Sequence, residues 1–282
     1  MKKFATRSLG VSTAILAIGI AAAPLFAHHQ WSTYAWASDS VNPITPAVVD
    51  NTDSRWNGHV SQAVSDWNKS GWIDSGLEYG NNSSCGMTTG TIQVCNDDYG
   101  ANGWLGIATI ALRNGVITAG STKLNDNYFN RDRYNNYTWR QLVTCQEIGH
   151  DYGLGHQNED FSTDETTSCM EYTSLPEGNE GPDAHDYDEL ALMYGAGTGG
   201  GGGGTKGPKG GKGGGNGGGK GGGKGKKSSR TALPGVGNTP VSWGKPTAFL
   251  PNGKPYRFIR SSGNYTYITH VTWTPDRDHH DH

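Results

Sequence analysis

At 282 residues the chain can hold one large domain or two modest ones, with room for a sizeable core. Its 44 glycines and its hydrophobic fraction of 33% reflect one Gly/Lys tract, and its formal charge of −3 conceals an acidic body followed by a basic tail. An acidic body repels a polyanion, which argues against a nucleic-acid-binding fold. Beyond the N-terminus no stretch reaches the roughly 20 apolar residues of a membrane span.

In chain order, Lys2, Lys3 and Arg7 precede an apolar run from Val11 to Ala23 and then Ala27, the pattern of a secretory signal over residues 1–27. The expected location is therefore secreted, extracellular. Export permits disulfides, and Cys85, Cys95, Cys145 and Cys169 allow three pairings, of which nearest-neighbour bridges, Cys85–Cys95 and Cys145–Cys169, are preferred. His28 at the new terminus could chelate copper, but nothing else supports a copper oxidase.

Residues 28–196 form the body. Trp31 to Trp36 alternates as a strand. Arg55 to Ser70, with Trp56, Val60, Ala63, Val64 and Trp67 spaced by three and four, is an amphipathic helix with Asp53 or Ser54 as its cap. Leu77–Tyr79, Thr91–Cys95, Gly106–Leu112 and Gly115–Lys123 read as short strands separated by Gly/Asn turns. Asn96-Asp97-Asp98 and Asn125-Asp126-Asn127 offer oxygens for a structural Ca2+, though without regular loop spacing, and ordinary turns are the plainer reading. Tyr137 to Tyr152 is a second helix, capped by Thr138 and ended by Gly153, and His185 to Tyr194 is a third.

Residues 197–230 are a Gly/Lys-rich flexible linker with eight bases and no acid, a span on the order of 30 Å as a coil. Its charge suggests weak adhesion to anionic surfaces. Residues 231–282 read as a small β module: Val241–Trp243, Tyr256–Arg260 and Tyr265–Trp273 as strands, then a disordered His/Asp-rich end.

The chemistry concentrates in Gln146-Glu147-Ile148-Gly149-His150-Asp151-Tyr152-Gly153-Leu154-Gly155-His156. Residues four apart share a helix face, so Gln146 and His150 project together, with Glu147 one position round. The turn at Gly153 lets His156 approach the same point. Neutral imidazoles suit Zn2+, whose bound water becomes a nucleophile near neutral pH once a carboxylate base takes its proton.

These residues resemble the zinc-binding helix of the metzincin metallopeptidases, in its matrixin-like form, over about residues 30–196. The resemblance implies an α+β fold: a twisted sheet, two long helices, a Met-turn and a C-terminal helix. It implies zinc as cofactor, protein or peptide substrates, and Glu147 as the general base for a metal-activated water. Met170 would be the methionine beneath the metal, and Tyr172, in Ser168-Cys169-Met170-Glu171-Tyr172, a candidate ligand or transition-state hydrogen-bond donor. A Cys145–Cys169 bridge would then clamp the ligand helix to the methionine turn.

The departure is Gln146, which stands where the family carries its first histidine. Either Gln146 ligates beside His150 and His156, or His185 or Tyr172 replaces it, or the site binds metal poorly. The expected activity is that of a secreted zinc endopeptidase, expected to be a monomer; the alternative is a catalytically weak or inactive pseudo-peptidase that binds surfaces.

Overall fold

Trp104–Arg113 is apolar at almost every position rather than at alternate ones, which is the pattern of a strand covered on both faces. The computed structural model shows both covers. It describes residue 29 and residues 33–161, 163, 166–195 and 230–275; the signal segment, His28, residues 197–229 and the His/Asp-rich end fall outside the described residues.

In chain order the elements are β1 (Ala35–Trp36), β2 (Ala47–Asp50), α1 (Asn57–Asn68), β3 (Leu77–Tyr79), β4 (Thr91–Asp97), β5 (Trp104–Arg113), β6 (Val116–Asn125), α2 (Asp126–Phe129), α3 (Tyr137–Asp151) and α4 (Ala184–Tyr194). After the linker come α5 (Pro240–Trp243), β7 (Lys245–Phe249), β8 (Pro255–Ser262) and β9 (Tyr265–Trp273). The strands make one mixed sheet in the order β3-β2-β4-β6-β5-β9-β8-β7, with β1 beside the start of β6. β2, β3, β4 and β6 are parallel, and β5, β9, β8 and β7 follow as an antiparallel run. The class is thus α+β, with a large mixed sheet and few helices among the described residues.

The C-terminal residues, read as a small β module that either stands alone or docks on the body, extend the body's sheet. β9 lies antiparallel on β5 from Thr266 opposite Leu112 to Trp273 opposite Trp104. The physical reason is that β5 would otherwise present a long edge of unpaired N–H and C=O groups.

One face of the sheet packs on α1 and α3. Trp56, Val60, Ala63, Val64 and Trp67 of α1 and Leu142, Val143 and Ile148 of α3 meet Ile92, Val94, Ala108, Ile110 and Ile268. The spacing-based reading of both helices therefore holds. The other face, with Met87, Trp104, Ile107, Ala119 and Val271, is covered by Leu233, Val236 and Trp243. That strap is tied down by Leu233 N–H to the Met87 carbonyl (2.9 Å) and by the Trp104 indole N–H to the Asn238 carbonyl (3.1 Å).

Lys123 anchors the same strap: its buried ammonium donates to the Val236 carbonyl (2.8 Å) and to Asn238 Oδ1 (2.7 Å). Burial lowers its pKa to about 8. The unfolded chain, with an ordinary lysine, then binds more protons between pH 8 and about 10.5, so this group makes stability rise with pH across that window and contributes no slope below it. Denaturant midpoints from pH 7 to 10 should show the rise, and Lys123→Met should remove that component; an unchanged slope would show that Lys123 does not supply it.

Several local expectations are corrected. Val241–Trp243 lies in the short helix α5, where Pro240 at the first helical position and the Thr239/Ser242 capping box favour helix over strand. The cap of α3 is Asn136, whose side-chain oxygen accepts from Trp139 N–H (3.0 Å), while the Thr138 hydroxyl bonds to Asn136. α1 begins after Trp56 with no side-chain cap, and Asp53 instead binds Arg55. β2 was not anticipated, since Ala47-Val48-Val49 is too short to show periodicity.

Both expected disulfides are present, Cys85–Cys95 and Cys145–Cys169. No helix among the described residues is long and apolar enough to cross a membrane.

Candidate metal centre

α3 carries Gln146, Glu147 and His150 along its buried face, all fully enclosed. The helix ends at Tyr152, and Gly153 takes φ +99°, a conformation that L side chains rarely adopt. A side chain there would also meet the Tyr34 carbonyl oxygen 2.8 Å from its Cβ. The reversal carries the chain back so that the His150 Nδ1–H donates to the Leu154 carbonyl (2.8 Å). A carbonyl can only accept, so this bond fixes the tautomer and leaves His150 Nε2 as a bare lone pair facing inward.

Two further ring nitrogens face that lone pair. His150 Nε2 lies 3.0 Å from His156 Nε2 and 3.0 Å from His270 Nδ1, and the ligand atoms of the three rings all fall within 4.8 Å of one another. His270 comes from β9. The structure therefore supplies a third imidazole that does not come from the motif.

Gln146 is committed elsewhere. Its Nε2 donates to the carbonyls of Cys169 (2.8 Å) and Glu171 (3.0 Å), and its Oε1 accepts from the Thr272 hydroxyl (2.6 Å). Of the expected Gln146–His150–His156 set, the structure brings the two histidines together with His270, while the Gln146 amide joins the helix to the turn at Met170 and to β9. Neither alternative replacement enters the triad. His185 stacks on His29 at 4.8 Å. The Tyr172 hydroxyl donates to the Val271 carbonyl (2.6 Å), with its ring 4.1 Å from His156.

The other candidate residues lie around this cluster or apart from it. Met170 is fully buried, its Sδ pressed against Gly149 where a Cβ would sit. Cys145–Cys169 ties that turn to α3. Gln157 N–H to the Met170 carbonyl (2.7 Å) and Tyr172 N–H to the Asn158 carbonyl (3.0 Å) hold the His156 loop against it. Cys85–Cys95 lies apart, bracing β4. The proposed calcium turns are otherwise occupied: Asp126 accepts from Arg55 (2.9 Å), the Trp56 indole (3.0 Å) and Asn96 (2.6 Å).

Glu147 stands over the sheet where Gly106 gives it space; a Cβ on Gly106 would lie 2.7 Å from Glu147 Cγ. Gly106 pairs with Thr272, and Ala108 with His270, so the carboxyl and the triad sit one register step apart on one face. Neither Glu147 oxygen has a well-formed hydrogen bond among the described residues. Burial pushes its pKa well above the usual carboxylate range, with the Thr272 hydroxyl pulling weakly the other way.

Burial also keeps the imidazoles neutral. It lowers His150 to about 3, and it lowers His156 and His270 well below the ordinary histidine value, each ring being further depressed by a neighbouring histidine. Three neutral imidazoles converge here, and with the tautomers of His156 and His270 set to turn a lone pair inward they form a donor set that a tetrahedral metal takes. Ligands at Zn–N distances of about 2.0–2.1 Å would stand roughly 3.3 Å apart, against 3.0 Å for the two pairs that include His150 and no more than 4.8 Å for the set. His150 has the outer-shell acceptor that a metal-bound imidazole takes, the Leu154 carbonyl, whereas His156 Nδ1 is buried with no hydrogen-bond partner among the described residues. The residues fit a zinc ion.

Searches of the chain against family models and against curated proteins find no match. The reading of this centre rests on its own geometry.

Proposed function

We propose that the protein is a secreted, zinc-dependent endopeptidase of metzincin-like design in which His150 and His156, joined by His270 in the form seen here, hold the metal and Glu147 is the general base. The observation that carries this reading is the convergence of three neutral imidazole nitrogens beside a buried carboxyl that lacks a well-formed hydrogen bond. Zinc there would supply Lewis-acid polarisation and a hydroxide-like nucleophile near neutral pH.

The residues of the chain do the rest. Glu147 takes the proton of the attacking water and returns it to the leaving amine, which needs a carboxylate on the triad face and explains the space left at Gly106. Tyr172 donates a hydrogen bond to the carbonyl of an extended backbone, as it does to Val271, and so can hold the oxygen on which charge develops. Met170 and the Cys145–Cys169 bridge keep the floor of the site rigid.

A second reading draws support from burial. His150, His270 and Glu147 are no more than 1% exposed, as in structural zinc sites, whereas a catalytic site keeps an open position. In that reading the metal would fasten the fold of a non-catalytic surface-binding protein.

Glu147→Gln separates the two. Zinc should remain at about one per chain, because the ligands are untouched, while peptide hydrolysis should fall by at least a thousandfold in every form that shows it. Zinc retained with no hydrolysis in any form of the native chain favours the structural reading. Absence of zinc from the native chain defeats both.

A further inference from the structure

The same site shows how it is closed. A hydrolase must admit a substrate to Glu147, yet Glu147, Tyr172 and the three histidines are all buried. What covers them is β9 with its neighbour β8, which contributes Tyr256, 5.1 Å from His270 and 5.6 Å from His156 between ring centroids.

β9 does not cover the site as a loop would. It lies antiparallel on β5, the strand that runs past Glu147, and takes the edge that an extended peptide would need for strand addition. Its groups fall on each reactive position. The Val271 carbonyl accepts from the Tyr172 hydroxyl (2.6 Å). The next side chain, Thr272, reaches Gln146 Oε1 (2.6 Å) and lies against Glu147. The preceding one, His270, places Nδ1 3.0 Å from His150 Nε2 and fills the position that an incoming group would use.

We propose, on the reading of the site as a peptidase centre, that β9 is an internal substrate mimic: it holds the enzyme closed, with metal coordination by His270 as the bolt and the Gln146–Thr272 hydrogen bond fixing its register, and in the open form His150 and His156 would keep the metal, more weakly, with Gln146 Oε1 released from Thr272 as the third ligand. The substrate class that competes with it is an extended polypeptide laid antiparallel on β5. Opening requires that β9 part from β5 and that the packing of Leu233, Val236 and Trp243 give way; in sequence, residues 230–275 are joined to the body through one Gly/Lys-rich stretch, so a cut there leaves only that packing and the strand pairing to hold them. Metal binding and closure are then linked, because zinc stabilises whichever state offers it more ligands.

Two measurements on the intact chain and one on a cut chain test this. Hydrogen exchange of the β9 amides should quicken at least tenfold when zinc is removed with a chelator, while β4 amides change much less, and His270→Ala should abolish the zinc effect. Equal change in β4 and β9 means that zinc acts on global stability, and no change in β9 means that the bolt does not exist; either overturns the proposal. A full-length chain bearing an inserted specific cleavage sequence between residues 205 and 225 should hydrolyse a fluorogenic peptide at least tenfold faster after cutting. A synthetic peptide of residues 265–275 should reverse the gain, and its His270→Ala form should be at least tenfold weaker. Equal inhibition by both peptides, or equal activity before and after cutting, overturns the proposal. Zinc bound in the intact chain together with that second result would leave the metal centre standing and remove only the latch.

Discussion

His270→Ala should weaken zinc binding by more than about a hundredfold, while Gln146→Ala stays within about tenfold of the native chain. Structural zinc in small domains is held by about 10–16 kcal/mol, so one of a few ligands carries roughly 3 kcal/mol. His270 Nδ1 lies 3.0 Å from His150 Nε2, in the triad, whereas every polar atom of Gln146 has a protein partner. Gln146→Ala should nevertheless cost about 1–3 kcal/mol of folding stability, because it strands two buried carbonyls and the Thr272 hydroxyl. Competition with a chelating dye reads the affinities, and urea unfolding reads the stability. If the two variants exchange roles, with Gln146→Ala losing zinc and His270→Ala keeping it, the ligand assignment is wrong.

Replacing both Cys145 and Cys169 by alanine should lower stability by about 3–4 kcal/mol and the melting temperature by roughly 10 °C. The bridge closes a loop of sequence separation 24, which gives about 3.5 kcal/mol in the chain-entropy model. Both sulfurs are fully buried between α3 and the methionine turn, so their loss also loosens packing around Trp67, whose indole N–H donates to the Cys145 carbonyl (3.1 Å). The corresponding double variant of Cys85 and Cys95 should cost less, about 3 kcal/mol, because its loop is shorter, with separation 10. Calorimetry of the two variants side by side gives the order, and a larger loss at Cys85–Cys95 would contradict it.

The parts of the site that lie close in sequence were legible. Glu147, His150 and His156 are brought together by one helix and one glycine turn, and helix geometry alone dictates that arrangement. The Cys145–Cys169 pairing followed from the same neighbourhood. His270 carried a weaker signal: it is a titratable residue inside Tyr265–Trp273, otherwise a run of β-branched and aromatic residues with no charge. A buried polar group in such a strand needs a partner, but nothing in the strand says that the partner is more than a hundred residues away. The doubly apolar β5 pointed to a second covering layer in the same mute way.

The sequence by itself determined the two long helices, the motif face of α3, the glycine reversal and the presence of an apolar strand needing cover. These are local properties, set by propensity and periodicity within a few turns of chain. The tertiary structure decided which residue completes the triad, what Gln146 does and where the C-terminal strands go. Strand pairing joins backbone edges regardless of separation in sequence, so β9 could meet β5 across the whole linker, and only that pairing puts His270 beside His150.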